Sequence, residues 1–196
     1  SGRCWIFAGL NSLRGGIMDR TNIKDFELSQ TYLYFYDKLE KANWFLTAVD
    51  ELKDRDITDR TLTKLMDDPI GDGGQWSMFV SLVEKYGVVP KYAMPETASS
   101  EASAMLNRNL ETVLRRAAHQ ICAGKSGAQE QALADVYRIL TANLGLPPTD
   151  FQWQYRDKDD NFHREGTFTP QDFAREYLPK DLGEYVCVVN DPRNNY

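Results

Sequence analysis

The chemistry this sequence could perform begins at Cys4, which stands where an apolar helix starts. Ile6, Leu10, Leu13 and Ile17 recur at helical spacing, so one face from Trp5 onward requires a core, while Ser1 and Gly2 read as turn. Cys4 therefore falls in the first helical turn. There the unpaired backbone N–H groups and the positive end of the helix dipole favour an anion, so a thiol in that place is readied as the nucleophilic thiolate. The same placement also suits a small, inert core hydrophobe. Spacing alone leaves both readings open.

Four other features carry chemical potential. The cluster Gly71-Asp72-Gly73-Gly74 precedes a helix, as phosphate-cradling loops do, but it lacks the Walker lysine and a preceding strand, which excludes nucleotide binding of that type. It remains a flexible turn or a place where another backbone comes close. His119 lies in a helical stretch beside Arg115 and Arg116, which suits a solvated or capping residue better than a catalytic base. His163 alternates with Phe162 and Arg164 and is expected on the exposed face of a strand. The turn Asp157 to Asn161 is acidic but lacks the terminal Glu of a calcium-binding EF-hand loop.

The run Gly2-Arg3-Cys4-Trp5-Ile6-Phe7-Ala8 resembles the nucleophile segment of papain-like cysteine peptidases. Papain and the cathepsins carry a second Cys where this chain has Ser1. Arg3 and the missing upstream Cys resemble instead the intracellular branch of bleomycin hydrolase and bacterial aminopeptidase C. The stretch from Glu27 to Asn43 resembles the same branch over its whole length, and so does Tyr155 to Asp159 through Phe168-Thr169-Pro170.

The resemblance implies a fold and a mechanism. Cys4 would be the nucleophile of a cysteine aminopeptidase, attacking the carbonyl after the N-terminal residue of a peptide and releasing that residue through an acyl-enzyme. Gly73 and Gly74 match the glycine pair along which the substrate backbone lies as an added strand. The family's oxyanion Gln would lie upstream of Ser1 and its His and Asn beyond Tyr196, so the chain reads as an N-terminal-half fragment, inactive alone. Family members hydrolyse the bleomycin amide, and their own C-terminus occupies the non-primed cleft. The resemblance further implies peptide substrates, a homohexamer, a cytoplasmic location, and neither cofactor nor metal. Two other classes stay open: a noncatalytic relative serving assembly, and a redox protein with Cys4 as a switch, for which Cys122 and Cys187 are poorly spaced partners.

The chain as a whole sets bounds on these readings. Its 196 residues, 42% hydrophobic and 12% aromatic, suffice for one sizeable core, which excludes disorder. A net charge of -6 without a basic block makes nucleic acid an improbable partner. Three cysteines, widely spaced, form neither a disulfide framework nor a zinc site. No apolar run is long enough to suggest a membrane span.

The elements that must position Cys4 follow from pattern and punctuation. The first helix is expected from Arg3 to Leu13 or slightly beyond, stopped by Gly15-Gly16, and the second from a Ser29 N-cap, apolar over a wide arc from Tyr32 to Val49 and including Trp44. A short helix at Asp59 to Met66 and another from the glycine cluster to Gly87 come next. Two helices, to about Gly124 and from Ala128 to Asn143, read as an inserted α-hairpin. Phe151 to Arg156 and Phe162 to Phe168 alternate as a β-hairpin, Thr169-Pro170-Gln171-Asp172 opens a short helix, and Glu184 to Asn190 reads as a last strand. The fold class is α+β: the mostly helical lobe of a papain-like peptidase with a helical insertion, a hairpin and the first strand of the β lobe. The expected divisions are 1–97, 98–150 and 151–196.

Overall fold

The computed structural model describes residues 2–56 and 58–185. Helix α1 (Cys4–Thr21) buries Ile6, Leu10, Leu13 and Ile17, the stripe read from the sequence. It does not stop at Gly15-Gly16. Each helical glycine costs about 1 kcal/mol relative to alanine, whereas burying Ile17 alone contributes about 2 kcal/mol and Thr21 extends the buried face. The helix ends instead at Asn22, in the left-handed conformation at φ 54°.

Helix α2 (Gln30–Leu52) starts where expected: the Ser29 hydroxyl accepts a hydrogen bond from the Tyr32 N–H. Its buried face runs through Tyr34, Lys38, Ala42, Phe45 and Val49, and Trp44, expected within the apolar arc, is 62% exposed. Just before α2, Leu28 pairs with Pro90 in an antiparallel bridge, with Ser29 N–H donating to Val89 O and Lys91 N–H to Glu27 O. That bridge fixes the entry of α2 against the Val88–Pro90 run.

Helix α3 (Arg60–Asp67) is capped by the Asp59 carboxylate, which accepts from the N–H groups of Thr61 and Leu62. Helix α4 (Trp76–Tyr86) buries Phe79, Val80, Leu82 and Val83 against α1 and α2 and ends at Gly87. A four-residue helix, α5 (Ala98–Glu101), escaped the sequence reading because one turn gives no periodicity; its Thr97–Ser100 capping box is nonetheless complete. Helices α6 (Ala104–Cys122) and α7 (Ala128–Leu144) pack on each other and on α2. Their buried Leu106, Leu110, Leu114, Val136 and Leu140 continue the core that α1 and α2 begin.

Strands β1 (Phe151–Arg156) and β2 (Phe162–Phe168) form the antiparallel hairpin, with Phe151 opposite Phe168 and Tyr155 opposite His163. The register jumps after Trp153, where Trp153 faces Gly166 and Gln154 faces Arg164, so Glu165 is the extra residue of a bulge. This register corrects the expectation for His163. It lies half-buried with its ring stacked on Tyr155 at 4.8 Å, and Phe162 is the exposed neighbour. Helix α8 (Pro170–Tyr177) follows, with Thr169 as N-cap and Pro170 in its first turn, and seats Phe173 against Phe151 and Trp153. A 3-10 turn covers Leu182–Glu184. The strand expected from Glu184 to Asn190, including Cys187, otherwise lies outside the described residues. Among the described residues, no helix is long and apolar enough to cross a membrane.

Candidate active site

The sequence placed Cys4 at a helix start, and the structure puts it at the first residue of α1, exposed. No side chain caps this end and no acid stands in its first turn. Among the described residues the N–H groups of Cys4, Trp5 and Ile6 have no hydrogen-bond partner. Arg3, which precedes the thiol, is buried: its Nη1 donates to both carboxylate oxygens of Glu96, at 3.0 and 2.8 Å, while Ser100 Oγ donates to Glu96 Oε2 as well. The guanidinium lies 5.5 Å from the centre of the Tyr34 ring. Arg3 therefore anchors the helix start to the segment before α5 and leaves the thiol uncovered.

The structure brings both glycines to this place. Gly73 N–H donates to Gly2 O at 3.3 Å, two residues before the thiol. Gly74 lies against Trp5, the residue after it: a Cβ on Gly74 would come within 2.8 Å of three indole atoms. Gly73 adopts φ +93°, a conformation that side chains disfavour, with open space where its side chain would be. Neither the N–H nor the C=O of Gly74 has a hydrogen-bond partner among the described residues.

What holds the glycine loop was missed in the sequence. Lys38 is fully buried, and its ammonium donates to Ile70 O at 2.8 Å, Asp72 Oδ1 at 2.8 Å and, more weakly, Gly71 O at 3.4 Å. One turn on, Lys41 donates to Gly73 O at 2.7 Å, Gly71 O at 3.0 Å and Asp37 Oδ2 at 3.0 Å, with its ammonium 5.5 Å from the centre of the Trp5 ring. Asp72 is shared with α6 through Asn107 Nδ2 at 3.2 Å. A lysine on the buried stripe of α2, at the same helical face as Tyr34, Ala42 and Phe45, was the available signal.

Burial sets the electrostatics of these groups. It pushes the Lys38 ammonium below its ordinary range, against the opposing pull of Asp72 and Asp37. Burial likewise drives the Asp37 carboxyl up, more than Lys41 and Lys38 bring it down. For Asp72 burial is also the largest influence, but the hydrogen bonds and charges of Lys38, Asn107 and Lys41 together outweigh it and hold the carboxyl below its ordinary value. The loop is thus tied down by the Lys38–Asp72 contact at 2.8 Å, in which the partners of Asp72 favour its charged form.

A groove of about 660 Å³ opens beside the loop, between α2 and α4, with Trp44, Ile70, Gly73, Met78 and Leu82 among its walls. It adjoins the thiol's neighbourhood without including Cys4. A hollow of about 590 Å³ touches Gly2 and Asp72 and reaches Asn107, Arg108 and Glu111 on α6. His119 lies in the last turn of α6 beside Cys122, and His163 is bonded to Asp157 at 2.9 Å, so neither is brought to the thiol. Among the described residues no group of acidic, His and Cys side chains forms a metal site.

The family profile described as the Peptidase C1-like family matches residues 1–196. The chain belongs to the Peptidase C1-like family. Within it, aminopeptidase C of Listeria monocytogenes serovar 1/2a is 46% identical over 98% of this chain, and bleomycin hydrolase of Gallus gallus is 41% identical over 98%. In both cases the chain spans 45% of the relative's length. The crystal structure of PepW from Lactobacillus rhamnosis superimposes with a TM-score of 0.87 at 45% identity, covering 91% of this chain and 42% of that one. The helix-rich α+β architecture is therefore that of a Peptidase C1-like protein, as the resemblance implied.

Proposed function

We propose that this chain supplies the nucleophile-bearing half of a cysteine aminopeptidase, with Cys4 as nucleophile and Gly73-Gly74 as the edge on which the substrate backbone rests. One observation carries the reading: an exposed thiol at a helix start without a side-chain cap is bracketed by a glycine pair, one glycine bonded to Gly2 and the other packed on Trp5, with the Gly74 amide unpaired among the described residues. A thiolate there attacks a peptide carbonyl, and the Cys4 N–H donates to the oxygen on which charge develops. The base that activates the thiol, its orienting partner and the side-chain oxyanion donor come from outside this chain, because His119 lies in the last turn of α6 beside Cys122 and His163 is bonded to Asp157. The names of the relatives support peptides as substrates, with removal of the N-terminal residue, and a thiolate nucleophile would release it through an acyl-enzyme. A homohexamer and a cytoplasmic location belong to the same proposal, and a noncatalytic assembly role is the alternative.

The test uses the complete peptidase and a panel of aminoacyl coumarin amides. Cys4→Ala should abolish turnover with an unchanged thermal melt, and the 196-residue chain alone should be silent. Retained turnover in Cys4→Ala, or no turnover in the intact wild type, would return the chain to the assembly role.

A further inference from the structure

We infer that Lys41 is the positioning residue that aims the Gly74 N–H outward, toward a bound peptide backbone. The inference rests on the cleft reading just given and adds a residue to it.

The geometry follows from a single peptide unit. The described chain contains no cis peptide bonds, so the C=O of Gly73 and the N–H of Gly74 point in opposite directions across one planar group. Lys41 Nζ holds Gly73 O at 2.7 Å from the α2 side. The Gly74 N–H must then face away from α2, and it finds no acceptor among the described residues. Turning that N–H inward would require breaking the Lys41 bond.

Among the described residues no other hydrogen bond reaches this peptide unit. Gly73 carries no side chain, sits at φ +93° and has no atom within 4 Å of its would-be Cβ. Its own N–H contact, to Gly2 O at 3.3 Å, lies on the preceding peptide unit. Lys38 fixes the loop earlier, at Ile70 and Asp72, and does not reach Gly73. Lys41 in turn cannot swing: its three donors are all used, on Gly71 O, Gly73 O and Asp37 Oδ2, and its ammonium lies close to the Trp5 ring. The residue that aims the glycine amide thereby also touches the neighbour of the nucleophile.

The experiment compares two reagents on Cys4 of the complete peptidase, shortened at its C-terminus so that the tail expected in the non-primed cleft does not compete: a tripeptidyl epoxide, whose backbone can accept the Gly74 N–H, and iodoacetamide, which cannot use it. The ratio of their rates cancels changes in thiol reactivity. Lys41→Met should lower that ratio about five- to tenfold, the range expected for one well-aimed hydrogen bond. A matched epoxide with its accepting amide carbonyl reduced to methylene should react slowly with wild type and be insensitive to the substitution. Should Lys41→Met fail to fold in a thermal melt, Lys41→Arg decides, because a planar guanidinium cannot bring one nitrogen to both carbonyls and Asp37. A wild-type ratio in whichever folded variant is read overturns the inference alone. A wild type that shows no preference for the tripeptidyl reagent overturns the cleft reading with it.

Discussion

Gly74 and Trp5 meet face to face: any side chain at the glycine would enter the indole ring, with three ring atoms 2.8 Å from its Cβ. The smallest side chain is therefore required for packing, whether or not substrate lies along the loop. Gly74→Ala should destabilise the protein by about 1–3 kcal/mol through overpacking, and Trp5→Leu should relieve part of that loss in the double variant. Urea unfolding of the four proteins checks the coupling, and additive losses would show that the contact is not made. Gly74→Val is by the same contact a packing variant first and not a clean probe of the cleft.

Lys38→Met removes a buried ammonium and leaves Ile70 O and Asp72 without their partner. Breaking a buried pair costs about 3–5 kcal/mol, and the lower end applies here because Asp72 keeps access to water and Asn107. Denaturant titration should show the loss. Asp72→Asn, which keeps an acceptor for Lys38, should cost less.

Residue types and spacing revealed the helical stripe of α1, the Ser29 and Thr169 caps and the β-hairpin, because each is a local preference that the tertiary structure also rewards. They misplaced the end of α1, where two glycines read as a stop and burial of Ile17 and Thr21 overrode them. They put His163 on the wrong face, since a bulge at Glu165 shifts the alternation and cannot be counted in advance. At the site, Cys4, Gly73 and Gly74 were legible as motif residues. The clamp that positions the loop was not, because Lys38, Lys41 and Asp72 meet only after α2 and the loop have packed, and charge on a helix ordinarily signals a solvated face.

The hairpin turn should weaken in acid. Asp157 accepts from His163, from the Asn161 side chain and N–H, and from the Asp159 N–H, and these hold its carboxyl down at about 2, the His163 bond being the largest cause. A folded value below the ordinary carboxylate value of about 3.9 means that the stabilisation is present above about pH 4 and is lost as pH falls through about 2. Thermal melts between about pH 2 and pH 6 should decline less steeply for Asp157→Asn than for wild type. An identical decline would show that the turn does not couple to folding.

Cys4 should be alkylated before Cys122, although both thiols are exposed. Cys4 opens α1, at an end that no side chain among the described residues caps and where the helix dipole favours an anion; Cys122 is the last residue of α6, where carbonyl oxygens disfavour one. Basic side chains around Cys122 could reverse that order. Lys53, Arg55, Arg115 and His119 line the hollow beside it. Three of these charges are already engaged: Lys53 pairs with Asp50, Arg55 with Asp59, and Arg115 with Glu111 and the carbonyls of Met66 and Asp67. Their fields at the thiol are correspondingly offset, so the helix ends decide. Peptide mapping after brief iodoacetamide treatment near pH 7 should find carbamidomethyl at Cys4 first, and Cys4→Ser should leave Cys122 slow. Labelling of Cys122 ahead of Cys4 would show that the basic hollow outweighs the helix start, and would remove the electrostatic argument for Cys4 as the nucleophile.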